Sequence, residues 1–439
     1  MKLVRSNRTE RLADALADRI RNEPLGPFER EIIVVQSRGM ERWLTLELSK
    51  RLGIWSNPAF PFPRGVVEEL LDALDEASSE GAKAYEPGHL KWSIAEILHD
   101  DPPSDLRSYL GDPVDADRAL RFASTAARMF DDYAVFRPNF LDEWARGEGR
   151  GWQPWLWRRL SERLGEHDIA SRIKRALIGL RGRPAKRAFP FRRLHLFSLE
   201  TLPPAFLELF SALARDVETT LYSLEPSSAY LGDSGATDDG EAAPDGHPFL
   251  VEAGRLSRDF QELLLSIDER VGERDERFEQ PERRDFLGRV QADIFEFRPP
   301  DEGGARDAVD ASDTSISVHA CAGPMREAQV LHDLIRAALE DDPSLEPEDV
   351  VVMTPDIDTY APVFRAVFGQ RDEKRIPYEV HDRRTRDDAE FFDDFMTVLE
   401  VLDSRFSVLD LAGLMDAGSM RATFRFTQDE RARLTELLY

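Results

Sequence analysis

Residues 36–40 occupy the position at which a phosphate-binding loop could do chemistry. The segment 31–48 (EIIVVQSRGMERWLTLEL) has the pattern of a strand, a loop and a helix, and nucleotide-hydrolysing motors bind phosphates at such a junction. Their loop needs glycines for close backbone approach, a Lys for the phosphates and a Ser or Thr for magnesium. Residues 36–40 read QSRGM, and Gly-Lys occurs nowhere in the 439 residues. The sequence therefore predicts the frame of a nucleotide-binding fold that cannot hold a triphosphate.

The same loop carries side chains that could bind nucleic-acid bases. The amide of Gln36 and the guanidinium groups of Arg38 and Arg42 can bind base edges in a single strand. Arg38 lies in the predicted loop and Arg42 lies one helical turn later, so both can face the same groove. Two interpretations remain open: the arginines contact DNA, or they form salt bridges on an acidic surface.

The segment 130–138 (FDDYAVFRP) carries a pair of adjacent carboxylates. Its aromatic residues recur at three-residue spacing, so we expect all three, Phe136 included, to lie in a core. Asp131 and Asp132 then fall on another face. An adjacent pair lacks the further oxygen ligands of a nuclease metal centre. We therefore expect solvated or internally paired carboxylates, with Arg137 as a latch-like partner, and predict no metal site.

Other motifs are weaker indications of chemistry. Three His-Asp dipeptides, at 99–100, 332–333 and 381–382, imitate metal signatures but lie in different predicted elements. No Lys completes the Glu-x-Lys tripeptide of restriction-type nucleases. The tryptophans of 152–157 could stack on bases, but their spacing favours a helical core. We predict no catalytic residue on this chain.

The composition is acidic and poor in lysine. The net charge is −26, and only seven of the 58 basic residues are lysine. Such a surface is typical of proteins in concentrated salt, and an ordinary acidic protein from a GC-rich genome is the alternative. Acidity argues against indiscriminate nucleic-acid binding but allows a basic channel inside an acidic shell. The single cysteine, the polar amino terminus and the lack of a long apolar run predict a cytoplasmic protein without a membrane span.

Strands and helices alternate along most of the chain, which predicts an α/β fold with mostly parallel sheets. The second half restarts this pattern, with strands expected at 315–320, 350–353 and 377–380. Because the chain ends within a helical pattern at 427–439, we expect a longer protein. The predicted organisation is a first α/β domain, a helical insertion, a linker and the start of a second α/β domain, at 1–79 with 186–268, 80–185, 269–313 and 314–439.

Particular motifs carry a family resemblance. Residues 326–328 (REA), 345–353 (LEPEDVVVM) and 376–378 (IPY) resemble the start of the second motor domain of superfamily 1 helicases. Further motifs resemble the RecC family, the gamma subunits of exodeoxyribonuclease V. These motifs are VVQSRGMERWL (34–44), FPFP (60–63), FDDYAVFRP (130–138), LETLPP (199–204), MREAQVLHDLI (325–335), PDIDTY (355–360) and DRR (382–384).

The resemblance implies a degenerate superfamily 1 helicase-like fold that threads DNA without hydrolysing ATP. In that family the subunit splits the duplex, feeds single strands to RecB-like and RecD-like partners, and scans the 3′-ended strand for the sequence Chi. No cofactor is expected on this chain, since ATP and Mg²⁺ belong to the partners. Carried over by motif, the DNA-channel positions are Gln36, Arg38, Arg42, Phe62, Asp131, Asp132 and Arg137.

Only three of these channel positions, Gln36, Asp131 and Arg137, match the family pattern in residue type. The sequence alone leaves two further functions open. One is an active ATP-dependent superfamily 1 DNA helicase, and the other is a helicase-like adaptor that binds protein partners only.

Overall fold

The computed structural model describes residues 1–424 except 27, 101, 183–188, 232–246, 268–269, 299–309, 370–374 and 382–389. The predicted helical end at 427–439 and the motif at 382–384 lie outside the described residues. The chain divides into two compact units, Met1–Ser317 and Val318–Tyr439.

The first unit is built on a six-stranded sheet in which every strand pair is parallel. The strands are β1 (Lys2–Ser6), β2 (Glu31–Val34), β3 (Pro58–Ala59), β4 (Arg193–Phe197), β5 (Glu218–Leu224) and β6 (Glu273–Glu276). Their order across the sheet is β3-β2-β4-β5-β1-β6. The predicted α/β fold with a parallel sheet is therefore confirmed for this unit.

Fourteen helices of the described ranges surround this sheet. They are α1 (Thr9–Asn22), α2 (Arg38–Leu52), α3 (Pro63–Leu74), α4 (Glu76–Ala82), α5 (Pro87–Asp100), α6 (Ser104–Leu110), α7 (Ala116–Phe136), α8 (Pro138–Ala145), α9 (Trp152–Leu164), α10 (Ile169–Arg181), α11 (Pro204–Leu213), α12 (Pro248–Glu252), α13 (Arg255–Leu265) and α14 (Phe286–Phe295).

Both faces of the sheet are covered, as a parallel sheet requires. On one face, α1 and α2 pack residues such as Leu16 and Leu44 against Ile33 of β2. On the other face, Leu196 of β4 and Leu221 of β5 share a core with α11 and the helical region α3–α10. Every residue of β4 is buried, so Leu194, Leu196 and Phe197 share the interior with the polar side chains of Arg193 and His195.

The helices α3–α10 lie in the chain between β3 and β4. Trp157 of α9 is buried and lies 5.4 Å from the ring of Phe130 on α7, so its predicted core role is confirmed. The prediction for Phe136 is wrong, because that ring is 61% exposed. A three-residue step falls about 60° short of a full helical turn, so Phe136 lies about 120° around α7 from Phe130.

Part of the segment 269–313, which was predicted to be a linker, is folded into the first unit. It contains α14 and the edge strand β6, which pairs with β1 along Lys2 to Arg5. Strand β6 is charged throughout (ERDE) and therefore lacks an apolar pattern. Ion pairs from Lys2 to Glu273 and from Arg5 to Glu276 join the two strands.

The second unit is helical in the residues that the structure describes. Its helices are α15 (Pro324–Asp341), α16 (Ile357–Phe368), α17 (Glu390–Asp403), α18 (Val408–Asp416) and α19 (Gly418–Phe424). A small core joins Ile335, Phe368 and Ile376.

The predicted strands of this half do not form among its described residues. Val351 and Met353, expected in a buried strand, are 77% and 89% exposed. Their extended segment has no neighbouring strand in the described ranges, and a parallel strand requires such a partner to satisfy its backbone.

Candidate nucleic-acid interface

Three neighbouring strands deliver their following loops to one edge of the sheet. Since β3, β2 and β4 are adjacent and parallel, their carboxyl ends meet there, and open α/β sheets bind ligands at this edge. The loops remain in contact beyond the strands, because the amide of Val35 donates to the carbonyl of Pro61 at 3.2 Å. Gln36, Phe62 and Glu200 follow β2, β3 and β4 respectively.

Gln36 fastens the β2 loop to the β4 loop. Its Nε2 donates to the carbonyl of Thr201 at 2.6 Å, and its Oε1 accepts from the amide of Glu200 at 3.2 Å. One N–H and one lone pair of the side-chain amide remain for a ligand. The side chain is exposed, so it both positions the edge and presents a polar group on it.

Arg38 and Phe62 together form a flat surface on this edge. The guanidinium carbon of Arg38 lies 5.1 Å from the centroid of the Phe62 ring, which is a cation–π distance. Glu41, one turn along α2, forms an ion pair with the same guanidinium. The Phe62 side chain is 41% exposed. An accessible ring beside a fixed cation is the combination on which bases of a single strand can stack.

Arg64, which the sequence reasoning missed, connects this surface to α7. Its Nη1 and Nη2 donate to the two oxygens of Asp131 at 2.6 and 2.8 Å, and its Nε donates to Glu68 at 2.8 Å. These hydrogen bonds, that to Asp131 first, raise the pKa of the Arg64 guanidinium. Asp131 therefore pairs with Arg64, and not with Arg137 as expected.

The other predicted positions stand apart from the stacked pair. Arg42 is exposed and lies one turn after Arg38 on α2. Asp132 is exposed on α7. Arg137 is also exposed, and its guanidinium carbon lies 5.6 Å from the ring of Phe140. The contacts thus join Gln36, Arg38 and Phe62 through their loops, and Asp131 through Arg64.

The connection between β2 and α2 is too short to wrap around phosphates. Strand β2 ends at Val34 and α2 begins at Arg38, so only residues 35–37 separate them. The Ser37 hydroxyl caps the helix by accepting from the amide of Met40 at 3.1 Å. Across the described ranges, no cluster of three or more His, Cys, Asp or Glu side chains could hold a metal ion.

A buried polar network holds the central strands at the opposite end of the sheet. Glu31 of β2 accepts from the Arg193 guanidinium and from His195 Nε2, both on β4. The ring of His195 also lies 3.2 Å, Nδ1 to hydroxyl, from Tyr222 of β5. Burial lowers the pKa of His195, although the Glu31 carboxylate opposes that shift. The histidine is therefore neutral, with Nε2 as its donor.

The missed arginine had no signal in the linear sequence. Arg64 follows the FPFP motif, but its partner Asp131 lies 67 residues away on α7, and pattern reasoning cannot pair charges across the three intervening helices α4, α5 and α6. Gln36 and Arg38 could be found from the strand–loop–helix pattern, and Phe62 from the family resemblance of the FPFP motif.

The fold and this edge define an α/β protein with a doubly covered parallel sheet and a helical region between β3 and β4. The family described as RecC, N-terminal domain, matches residues 1–297, so the chain belongs to the RecC family. It is 29% identical to the RecBCD enzyme subunit RecC of Escherichia coli, over 98% of this chain and 43% of the relative. The subunit RecC of Mycobacterium tuberculosis is 31% identical over 99% of this chain and 42% of the relative. This chain thus spans less than half the length of these relatives.

Among the described residues, no helix is long and apolar enough to cross a lipid bilayer.

Proposed function

We propose that this chain guides DNA within a helicase–nuclease assembly of the RecBCD type and does not drive the movement itself. In this proposal RecB-like and RecD-like subunits supply the motors, with their ATP and Mg²⁺, in the cytoplasm. The chain contributes a degenerate superfamily 1 helicase-like frame on the DNA path. There the duplex is split, and the 3′-ended strand is scanned for a Chi-like sequence during break repair and recombination.

The observation that carries the proposal is the Arg38–Phe62 surface at the carboxyl edge of the sheet. A single strand bound there would stack a base on the exposed ring, and Arg38 would attract the backbone phosphates. Stacking tolerates any base because every base has a flat π-face. A strand can therefore be held and still slide, as guiding requires.

The electrostatics support local binding only. With a net charge of −26, the whole chain repels a polyanion, so DNA affinity must come from specific places. Arg38, whose charge is partly balanced by Glu41, and Arg42 bring positive charge to one such place. Their phosphate contacts weaken as salt rises, since counterion release drives them, whereas base stacking does not depend on released counterions.

The absence of a wrapping loop between β2 and α2 supports a guide without motor activity. A triphosphate cradle needs several backbone amides in a glycine-rich loop and a Lys at its end. Residues 35–37 are Val-Gln-Ser, and Ser37 caps the helix that follows.

The direct test is equilibrium binding of a fluorescent single-stranded oligonucleotide to Phe62→Ala. Losing one stacking platform removes about 1–3 kcal/mol, which weakens the Kd by roughly 5- to 150-fold. The matched control is Phe249→Ala on α12, because Phe249 is also exposed and its ring lies against His247, at 5.5 Å between ring centroids. Equal affinity of Phe62→Ala and the parent contradicts the proposed interface.

A second assay addresses the motor alternative. We expect no ATP turnover from this chain with single-stranded DNA, and turnover only when motor subunits are added. Robust turnover by the chain alone, lost on Ser37→Ala, would instead make it an active helicase.

A further inference from the structure

Helix α17 of the second unit buries a carboxylate and exposes aromatic rings. It packs against α18 and α19, and Asp394 accepts from the amide of Ser419, in the first turn of α19, at 2.5 Å. Asp394 is only 7% exposed, and Val401, two turns further along the helix, is also buried. Phe391, in contrast, is 67% exposed. A helix of a globular protein usually turns its apolar side chains inward and its charged ones to water, so α17 has an apolar side that remains to be covered.

The exposed apolar side chains of α17 lie together. Spacings of four, four and three residues place one row along a single side of the helix, and a shorter row lies beside it. The first row is Phe391, Phe395, Leu399 and Leu402, the second is Phe392 and Met396, and the two rows form what we call the α17 face. A contiguous apolar patch of this kind marks an interaction site on a soluble protein.

The border of the α17 face is acidic. The helix contains aspartate and glutamate side chains but no Lys, Arg or His. Asp393, Glu400 and Asp403 are exposed. Each of them lies three or four residues from Met396 or Leu399, and side chains at that spacing are neighbours on a helix surface. The three carboxylates therefore border the apolar patch.

An apolar patch with an acidic border selects its partner by charge. A helix with an apolar stripe can pack on the α17 face, as in other cases of recognition between amphipathic helices. Basic side chains beside that stripe would pair with the three carboxylates, whereas acidic ones would be repelled. A second copy of α17 is the poorer fit, because two acidic borders would then meet.

We infer that the α17 face is a docking site for a basic amphipathic helix of a protein partner. The apolar stripe of the partner covers the phenylalanine rings, and its arginine or lysine side chains lie along Asp393, Glu400 and Asp403. This binding function is separate from the proposed guiding of DNA and does not depend on it.

The test uses fluorescence anisotropy with two synthetic helical peptides of the length of α17. Both peptides carry the same leucine stripe, and the positions beside it are arginine in one peptide and glutamate in the other. We expect the chain to bind the arginine peptide about tenfold more tightly, the combined effect of several exposed ion pairs. Phe395→Ser removes the centre of the longer row and should weaken binding of the arginine peptide by roughly tenfold or more.

Charge reversal tests the acidic border. Replacing Asp393, Glu400 and Asp403 by Lys changes only exposed side chains, and this variant should prefer the glutamate peptide. The matched control reverses the same number of exposed carboxylates on α15, so it changes the net charge of the chain equally and should keep the preference of the parent. Its substitutions are Asp333→Lys, Glu340→Lys and Asp341→Lys. Thermal unfolding of each variant establishes that it is folded.

The contrary outcomes are distinct. If the parent binds neither peptide, or binds both equally, the α17 face does not select a basic helix. A preference that survives reversal of the α17 carboxylates, or that is lost in the α15 control, overturns the docking site because it then reflects the charge of the whole chain. A parent that sediments as a dimer, and as a monomer after Phe395→Ser, makes a second copy the occupant and also overturns it. None of these results alters the DNA binding expected at Phe62, so the two proposals fail independently.

Discussion

At the residue scale, Arg64 determines what Asp131 can do. The family resemblance implies that Asp131 faces DNA, yet both of its oxygens accept from Arg64. Little acceptor capacity then remains for a base. We interpret the pair as a tie that holds the amino end of α3, and with it Phe62, against α7.

Removing this tie should destabilise the fold. Arg64→Ala leaves the mostly buried carboxylate of Asp131 without its partner, and we expect a loss of about 1–2 kcal/mol in the free energy of unfolding. This figure already allows for the partial exposure of Arg64. Arg64→Lys keeps the positive charge but cannot donate to both oxygens of Asp131 in the same way. Its free energy of unfolding should therefore lie between those of the parent and Arg64→Ala. Unfolding in urea measures the free energy of unfolding of the parent, Arg64→Ala and Arg64→Lys.

The control for this series is Arg163→Ala. Arg163 pairs with Glu96, and both side chains are largely exposed, so the loss should stay below about 1 kcal/mol. An Arg64→Ala protein as stable as Arg163→Ala contradicts the role of the tie.

At the element scale, the sheet depends on β2, β4 and β5 staying in register. Glu31, Arg193, His195 and Tyr222 form one buried network across these strands. A buried network is stabilising only when each member keeps its hydrogen bonds. The neutral state of His195 is therefore part of the fold.

This network predicts a pH dependence. Burial lowers the pKa of His195 below its ordinary 6.5, so the unfolded chain binds the proton first as pH falls. Stability is then fully present above pH 6.5 and declines below it. Burial opposes ionisation of Glu31, but hydrogen bonds from His195 and Arg193 lower its pKa overall below 4.5, so a further loss follows below that pH.

Unfolding in denaturant at a series of pH values tests this account. His195→Gln can still donate to Glu31 and accept from Tyr222, and it should flatten the slope between pH 6.5 and 4.5. His89→Gln, at an exposed histidine, should keep the parent slope. An unchanged slope in His195→Gln would mean that another group titrates there.

Elements with an apolar pattern could be predicted from the sequence, and elements held by partners could not. Strand β2 was predicted because Ile32, Ile33 and Val34 form a run of apolar residues, as buried parallel strands do. Strand β6 was missed because its charged residues are stabilised by β1 and not by burial. Conversely, 350–353 has the apolar pattern of a strand and stays exposed.

The candidate site, like the fold, could be predicted from the sequence only in part. Gln36 and Arg38 follow a predicted strand, and Phe62 belongs to a motif that carries the family resemblance; the parallel sheet brings the three residues to one edge. The Arg64–Asp131 pair depends on helix packing, which no local pattern encodes.

At the scale of the whole molecule, the net charge of −26 repels DNA, so the proposed binding has to be confined to a small number of places. Such places are recognised by the side chains that lie together there and not by the net charge of the chain. The carboxyl edge of the sheet has the required features: an exposed ring, a stacked guanidinium, and an amide that ties two loops. The proposed guiding role thus depends on the Arg38–Phe62 surface, which is a small part of a protein of 439 residues.

The most direct measurement is photocrosslinking from that location. A benzophenone side chain replacing Phe62 should form a covalent adduct with a single strand, both in this chain and in a complex with motor subunits. The same group at Phe249 should form none. Adducts that are absent at position 62, in a protein that binds the strand, would contradict the central claim and favour a role in binding protein partners only.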